Sequence, residues 1–204
     1  MDPLLSTLIE EIKLSGSLRQ DVAAFLNHHE CPNTAAHSFG VAEKAAELAR
    51  RFDADPARAT LSAWLHDISA VIPNDQRLEV SQALGLEILA EEAEVPLLLH
   101  QKLSALLAEQ IFNVSDQGVL SAIGCHTTLK ANPAQLDTLL FVADKLAWDQ
   151  KGTPPYQTEM EQALEESLEL AAFRYQDYLL HSGKILTPHP WMLDSFRELS
   201  EKFG

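Results

Sequence analysis

A histidine and an aspartate stand side by side in the apolar stretch LSAWLHDISAVIP, which covers residues 61–73. An ionised carboxylate is costly to remove from water unless a cation or good hydrogen bonds meet it. No Lys or Arg lies within eight residues of Asp67 on either side. We therefore expect the partner of Asp67 to be a side chain distant in sequence or a bound metal ion.

Three further histidines and one further aspartate fall on apolar stripes of predicted helices. Residues three or four positions apart share a helix face, so a polar residue at such a spacing from apolar neighbours points into the core. The pairs that define these positions are His37 with Val41, His100 with Leu103, His126 with Ile123, and Asp144 with Leu140.

Four histidines and two aspartates on inward positions, His66 and Asp67 included, offer nitrogen and oxygen ligands without a thiolate. Such a mixed set suits Fe, Mn, Zn or Mg better than Cu(I) or an iron–sulfur cluster. Taken singly, each residue is also compatible with a hydrogen-bonded core residue, a helix cap or a partner of Arg. The remaining histidines are predicted to be surface or capping residues: His28, His29, His181 and His189.

The elements that must position these side chains are predicted to be helices, because apolar residues recur with helical periodicity and no stretch alternates like a strand. The sequence therefore predicts an all-α fold. Turns containing Gly, Pro and Asn separate the periodic segments. The predicted helices cover residues 4–14, 18–29, 34–52, 56–69, 75–84, 97–112, 116–125, 133–149, 157–181 and 189–202.

Composition limits the classes of function. The 204 residues carry a net charge of −15, which argues against binding to nucleic acid or to an anionic membrane, since both require basic patches. We find no run of 18 apolar residues and no secretory signal pattern, so we expect a cytoplasmic protein. In that compartment Cys31 and Cys125 are expected to be reduced thiols.

The order of these residues resembles that of the HD-domain metal-dependent phosphohydrolases. The stretches HSFGVAEKAAELA, WLHDI, HTT and VADK, together with the tail YLLHSGKILTPHPWMLDSF, resemble more narrowly the YqeK-like branch of symmetrical dinucleoside tetraphosphatases. The resemblance covers residues 33–199. It implies a single HD domain over residues 1–204, in which residues 1–30 form an N-terminal helical extension and residues 33–199 form a helical bundle with a metal centre in its core.

The resemblance also implies a dinuclear centre and a reaction. Members of this branch use two iron-like ions to split diadenosine tetraphosphate into two ADP. Iron is therefore expected here, with Mn or Zn as alternatives. Asp67 would bridge the ions and act in catalysis, while Lys145 would contact a phosphate or extend to solvent. The implied ligands are His37, His66, Asp67 and Asp144 for one ion and Asp67, His100 and His126 for the other.

The sequence departs from the family pattern at basic positions. Thr34, Ala70 and Gln150 stand where the family carries Arg, Lys and Arg, and Leu129 replaces a Gly. Cations at such positions are natural partners of phosphate. Two hypotheses follow. The chain is a phosphohydrolase with an altered preference among nucleotides or other small phosphorylated substrates, or it is a non-catalytic metal- or nucleotide-binding HD-domain protein. A homodimer is compatible with either hypothesis.

Overall fold

The computed structural model describes residues 2–148, 150–185 and 187–204, and within these ranges it contains helices and no strands. The all-α prediction is therefore confirmed for the described residues. Two short 3-10 helices, Ile68–Val71 and Pro96–Leu99, accompany the α-helices. The α-helices are α1 (Pro3–Thr7), α2 (Leu18–His28), α3 (Pro32–Arg51), α4 (Pro56–Leu65), α5 (Arg77–Ala83), α6 (Ala90–Glu94), α7 (His100–Gln110), α8 (Gln117–Cys125), α9 (Gln135–Leu146), α10 (Gln157–Ala163), α11 (Leu168–His181) and α12 (Pro190–Phe203).

Local signals in the sequence account for where several helices begin. Asp55 and Asp116 accept hydrogen bonds from backbone N–H groups in the first turns of α4 and α8, as N-cap residues do. Proline occupies the first turn of α3, α4 and α12, where its missing N–H costs no hydrogen bond. His189 caps α12 through its side chain, as its predicted capping role requires, although it is buried rather than exposed.

The core forms where five helices, α3, α4, α7, α8 and α9, pack together. α3 packs against α4 and α9, while α8 contacts α4, α7 and α9. Fully buried apolar side chains from all five of these helices fill the centre, among them Val41, Leu65, Leu103, Ile123 and Phe141. Each of the predicted ligands lies in, or directly beside, one of these five helices. Among the described residues, no helix is long and apolar enough to cross a membrane.

Several predicted helices differ from the structure, three of them as follows. The segment predicted as one helix over 157–181 is two helices, because Ser167 leaves helical geometry and caps α11 by accepting a hydrogen bond from Leu170 N. The predicted helix 4–14 shortens to α1, and the carbonyl of Leu8 bonds to His29 Nε2 at 2.8 Å. The helix predicted over 133–149 ends at Leu146, and Asp149 lies outside the described residues.

Candidate metal centre

His66 lies directly after the end of α4. α4 stops at Leu65, and Asp67 adopts φ −111° and ψ 19° before the 3-10 helix begins. Neighbouring residues inside a helix would project about 100° apart, whereas this break brings His66 Nε2 within 3.4 Å of an oxygen of Asp67. The predicted helix 56–69 therefore does not continue through the pair, and its interruption brings the two side chains together.

His126 occupies the corresponding position after α8, which ends at Cys125. The Nδ1 atoms of His66 and His126 donate to the carbonyls of Ala63 and Ile123, each at 2.8 Å and each three residues earlier. The last carbonyls of a helix lack intrahelical partners. Each histidine thus satisfies a carbonyl at its own helix end and turns its Nε2 inward.

Unlike His66 and His126, which follow a helix, His100 begins one: it is the first residue of α7. Its Nδ1 lies 2.5 Å from the carbonyl of Leu97, again three residues earlier. His37 and Asp144 come from α3 and α9, and His37 Nε2 lies 3.0 Å from Asp144 Oδ1. The structure thus brings together the six predicted ligands, which span more than 100 residues of sequence.

Three overlapping groups of these residues have ligand atoms that lie within 4.8 Å of one another, close enough to hold a metal ion. Asp67 belongs both to the group that contains His37 and to the group that contains His100, so it links the two ends of the cluster. The groups are His37, His66 and Asp67; His66, His126 and Asp144; and Asp67, His100 and His126.

The contact between His100 and His126 tests whether the cluster fits a cation. Their Nε2 atoms lie 3.1 Å apart, and in both rings Nδ1 faces a carbonyl, so Nδ1 carries the hydrogen. In neutral rings both Nε2 atoms then present lone pairs to each other. His66 Nε2 is also buried, with no hydrogen bond to any described residue. A metal ion would satisfy all three nitrogens.

The electrostatic environment keeps four of the ligands in charge states that suit a metal, whereas His66 must first lose a proton. Burial lowers the pKa of His100 to about 4, and burial also lowers the pKa of His126. Burial acts the same way on His66, but the carboxylates of Asp67 and Asp144 outweigh it and raise its pKa to about 9. Burial would raise the pKa of both aspartates, yet their cationic neighbours lower it overall. Both carboxylates are therefore ionised at neutral pH.

Two hydroxyl groups, which the sequence analysis did not identify, fix the turn after Asp67 against α7. Ser69 N donates to Ser104 Oγ at 3.2 Å, and Ser104 Oγ donates to Ser69 Oγ at 2.9 Å. Ser69 Oγ donates in turn to the carbonyl of His100 at 2.8 Å. The sequence signal was available, since a buried hydroxyl inside an apolar stripe needs a partner.

A buried amide, also missed, joins α7 to the loop after His126. Gln101 Oε1 accepts from the backbone N–H groups of Thr127 and Thr128 at 3.2 and 3.3 Å. Thr127 Oγ1 lies 2.8 Å from His100 Nε2. Such outer contacts orient metal ligands and tune their basicity, so this amide sets the distance between His100 and His126.

Arg77 is a third residue that sequence reasoning missed. It is buried, and its Nε and Nη1 donate to the carbonyls of Ile72 and Leu97 at 3.2 and 3.4 Å. The Leu97 carbonyl is the same acceptor that orients His100. Arg77 therefore holds the turn before α7 in place, and no pattern within its own helix indicates that role.

Lys145 is the lysine that touches the cluster. Its Nζ forms an ion pair with Asp144 and donates to the carbonyl of His126 at 3.2 Å. Lys102 and Lys130 are instead engaged elsewhere, with Glu92 at 2.7 Å and Asp137 at 3.2 Å. Thr34 and Ala70, which the resemblance would expect to be basic, lie close in sequence to His37 and Asp67.

A cleft of about 820 Å³ opens beside His37. Glu43 and Glu47 line it with Lys44 and Gln150, and Lys44 is paired with Glu47 at 2.7 Å. Two carboxylates and one ammonium give this cleft a net negative charge. It is therefore poorly suited to a polyphosphate chain.

Comparison with known proteins places these residues in a family context. The model of the HD domain family matches residues 34–149. A protein of Lactococcus lactis subsp. cremoris, described as uncharacterized, is 41% identical over 148 residues, which cover 72% of this chain and 75% of that protein. A Bacillus subtilis (strain 168) protein named symmetrical bis(5'-nucleosyl)-tetraphosphatase is 27% identical over 62% of this chain and 67% of its own length.

A solved structure shares the fold. It is the crystal structure of a predicted HD superfamily hydrolase involved in NAD metabolism from Clostridium acetobutylicum, which is 24% identical in sequence with a TM-score of 0.80. The superposition covers 90% of this chain and 97% of that one. The helical arrangement described above is therefore that of an HD superfamily protein.

Proposed function

The chain belongs to the HD domain family, and from that membership we propose that it is a metal-dependent phosphohydrolase acting on a nucleotide or another small phosphorylated molecule. The arrangement of the histidine nitrogens carries the proposal. Three rings turn Nδ1 to a backbone carbonyl and Nε2 toward two ionised aspartates. This arrangement leaves the inward nitrogens available to divalent cations.

We assign the ligands of two divalent ions, iron by preference and Mn or Zn as alternatives, from the groups described above. Asp67 belongs to both ends of the cluster, which supports a bridging role. Its side chain is also the most exposed of the six, at 28%, so it faces an approaching substrate. One ion would be held by His37, His66, Asp67 and Asp144, and the other by Asp67, His100 and His126.

Bound divalent ions supply Lewis acidity and an activated water for attack on phosphorus. The protein's own residues would do the rest. Asp67 would orient the attacking water at the exposed edge of the cluster. Lys145 uses two of its three N–H donors on Asp144 and the carbonyl of His126. The third donor can hold a phosphate oxygen, which supports a catalytic role for Lys145.

Relatives named symmetrical bis(5'-nucleosyl)-tetraphosphatases support hydrolysis and a nucleotide substrate. The aligned part spans between about a third and three quarters of the length of the relatives that match. The acidic cleft beside His37 and the uncharged side chains of Thr34 and Ala70 support a preference for a less charged substrate than a tetraphosphate. The same observation supports the second candidate, a metal- or nucleotide-binding protein without catalysis.

Elemental analysis followed by a phosphate-release assay tests the proposal. We expect about two transition-metal ions per chain in protein prepared without chelator, and metal-dependent phosphate release from at least one member of a nucleotide panel. Trace metal content with no uptake of added iron or manganese would contradict the dinuclear centre. Two bound ions without release of phosphate from any nucleotide or simple ester would favour the non-catalytic candidate.

A further inference from the structure

A second cavity, of about 400 Å³, shares no described lining residue with the cleft beside His37. Its wall is mostly apolar and is built from the turn before α7, from α11 and from the segment before α12. Cavities of roughly 300–1,000 Å³ with few polar groups are typical of small-molecule sites. The apolar side chains at its wall include Val95, Leu98, Leu179, Ile185 and Met192.

The cavity adjoins the metal centre through two of its lining residues. Lys145 lines it and pairs with Asp144, and Thr127 lines it and contacts His100 Nε2 at 2.8 Å. A phosphate held at the ligands would therefore lie beside this cavity, next to the space for the group attached to it.

An aromatic ring forms part of the wall. The Tyr175 ring meets Tyr156 and Phe141 edge to face, with centroids 4.9 and 5.5 Å apart, and Lys145 Nζ lies 5.8 Å from its centroid. Within the described part of the chain, the Tyr175 hydroxyl makes no hydrogen bond. A rigid ring with an available hydroxyl suits a flat organic group that carries an acceptor.

The two cavities beside the centre differ in charge. The cleft near His37 carries Glu43 and Glu47, whereas the described residues that line the apolar cavity include Lys145 and Lys184 but no carboxylate. A phosphorylated molecule is anionic, so it is attracted to the side with the lysines. Its uncharged part gains most from the apolar wall.

We propose that the apolar cavity binds the leaving group of the substrate, and that the substrate is a phosphate ester of one uncharged, largely apolar aromatic group. The proposal rests on the phosphohydrolase function proposed above. In the reaction, water adds hydroxide to phosphorus, the bond between phosphorus and the ester oxygen breaks, and the leaving oxygen takes the proton. The released alcohol or phenol remains in the apolar cavity until it dissociates.

Binding of two non-hydrolysable phosphonates to the manganese-loaded protein tests this assignment without any turnover. Phenylphosphonate and methylphosphonate carry the same charged group and differ in the apolar body. Isothermal titration should show phenylphosphonate binding at least about tenfold more tightly, which corresponds to about 1.4 kcal/mol. Equal affinities would overturn the cavity assignment and leave the phosphohydrolase proposal standing. Failure of both ligands to bind would contradict both proposals.

Two matched variants on α11 test whether the preference for phenylphosphonate arises in this cavity. Leu179→Trp fills the cavity from its wall, whereas Leu180→Trp adds the same bulk at a half-buried neighbour outside the cavity lining. We expect Leu179→Trp to abolish the tenfold preference and Leu180→Trp to retain it, with methylphosphonate affinity within about twofold of wild type in both. Equal losses of preference in the two variants would contradict the proposal. Should Leu179→Trp fail to fold, Ile185→Trp fills the same cavity from a loop.

Discussion

The Glu92 cluster and the candidate metal centre both bury charged side chains, but only the Glu92 cluster completes its own hydrogen bonds. Glu92, which is fully buried, accepts hydrogen bonds from Lys102 at 2.7 Å, from His189 Nε2 at 3.2 Å and from Leu89 N at 2.9 Å. His189 Nδ1 in turn accepts from Trp191 N at 3.2 Å. Each buried polar atom of this cluster meets a partner of opposite character.

The candidate metal centre also combines histidines with carboxylates, but its histidine rings are oriented differently from that of His189. His189 places Nε2–H on a carboxylate, whereas His66, His100 and His126 place Nδ1–H on carbonyls and turn Nε2 into the cluster. A buried charge is stable when protein groups complete its hydrogen bonds. The difference supports a structural role for the Glu92 cluster and the proposed cation-binding role for the histidine cluster.

The largest effect should come from removing the proposed bridge. Asp67→Ala should empty the site, and phosphohydrolase activity should fall by about three orders of magnitude or more, because both ions lose a ligand. Its melting temperature should equal that of chelator-treated wild type, since ligand binding to the native state alone stabilises by about 2.7 kcal/mol at 100 times Kd. Normal metal content measured by elemental analysis would show that Asp67 is a core acid and would remove the contrast between the clusters.

The Glu92 cluster should respond in stability alone. Glu92→Gln leaves the ammonium of Lys102 without its carboxylate, and breaking a buried pair in this way costs about 3–5 kcal/mol. Denaturant unfolding should report that loss while metal content stays at the wild-type value. Glu91→Gln, a neighbour on α6 without an ion pair among the described residues, is the control and should change stability by no more than about 0.5 kcal/mol. A fall in metal content in Glu92→Gln would mean that the clusters are coupled.

A smaller gain should follow from restoring cations at the edge of the metal centre. Thr34→Arg with Ala70→Lys should raise kcat/KM for diadenosine tetraphosphate by about tenfold, less than two charge-assisted bonds at about 1.5–3 kcal/mol each would give, because solvent screens them. The uncharged pair Thr34→Gln with Ala70→Gln has similar length and should not raise it. Efficient cleavage by the wild type would show that other residues already hold the polyphosphate.

The smallest effect concerns acid stability. Burial would raise the pKa of Glu92, but His189, the Leu89 N–H and Lys102 outweigh it and lower the pKa below its usual 4.5. Ionised Glu92 therefore stabilises the folded state fully above about pH 4.5, which is its pKa in the unfolded chain. This stabilisation is lost as pH falls through the lower pKa of the folded state. In an Asp67→Ala background, where metal release does not contribute, unfolding between pH 3 and 6 should show a steeper loss of stability with Glu92 than with Gln at position 92. Parallel curves would contradict this linkage.

The sequence predicts the polar members of the candidate metal centre because each interrupts an apolar stripe. His37, His126 and Asp144 can be placed on inward faces by spacing alone, and the structure brings them together with the other three candidates. The same reasoning cannot place the Glu92 cluster. Glu92 and Lys102 lie on different helices, His189 is 97 residues from Glu92, and Glu and Lys are residue types common on surfaces.

Apolar periodicity also failed to predict where some helices end. The apolar pattern continues on both sides of His66, so it predicts an unbroken helix over 56–69, yet α4 ends at Leu65. The hydrogen bond from His66 to the carbonyl of Ala63 competes with continuation of the helix. A similar competition by the Ser167 side chain divides the segment 157–181. These local bonds depend on tertiary contacts that a single-sequence pattern does not contain.

The ligands of the cluster are distributed along the chain in a way that matters during synthesis. His37 and Asp144 are 107 residues apart, and at about 5–20 residues per second a ribosome takes roughly 5 to 20 s to make the segment between them. During that interval the nascent chain carries histidines and Asp67 without Asp144. Metal captured early would be held by an incomplete set of ligands, so loading is expected to follow release of α9 from the exit tunnel.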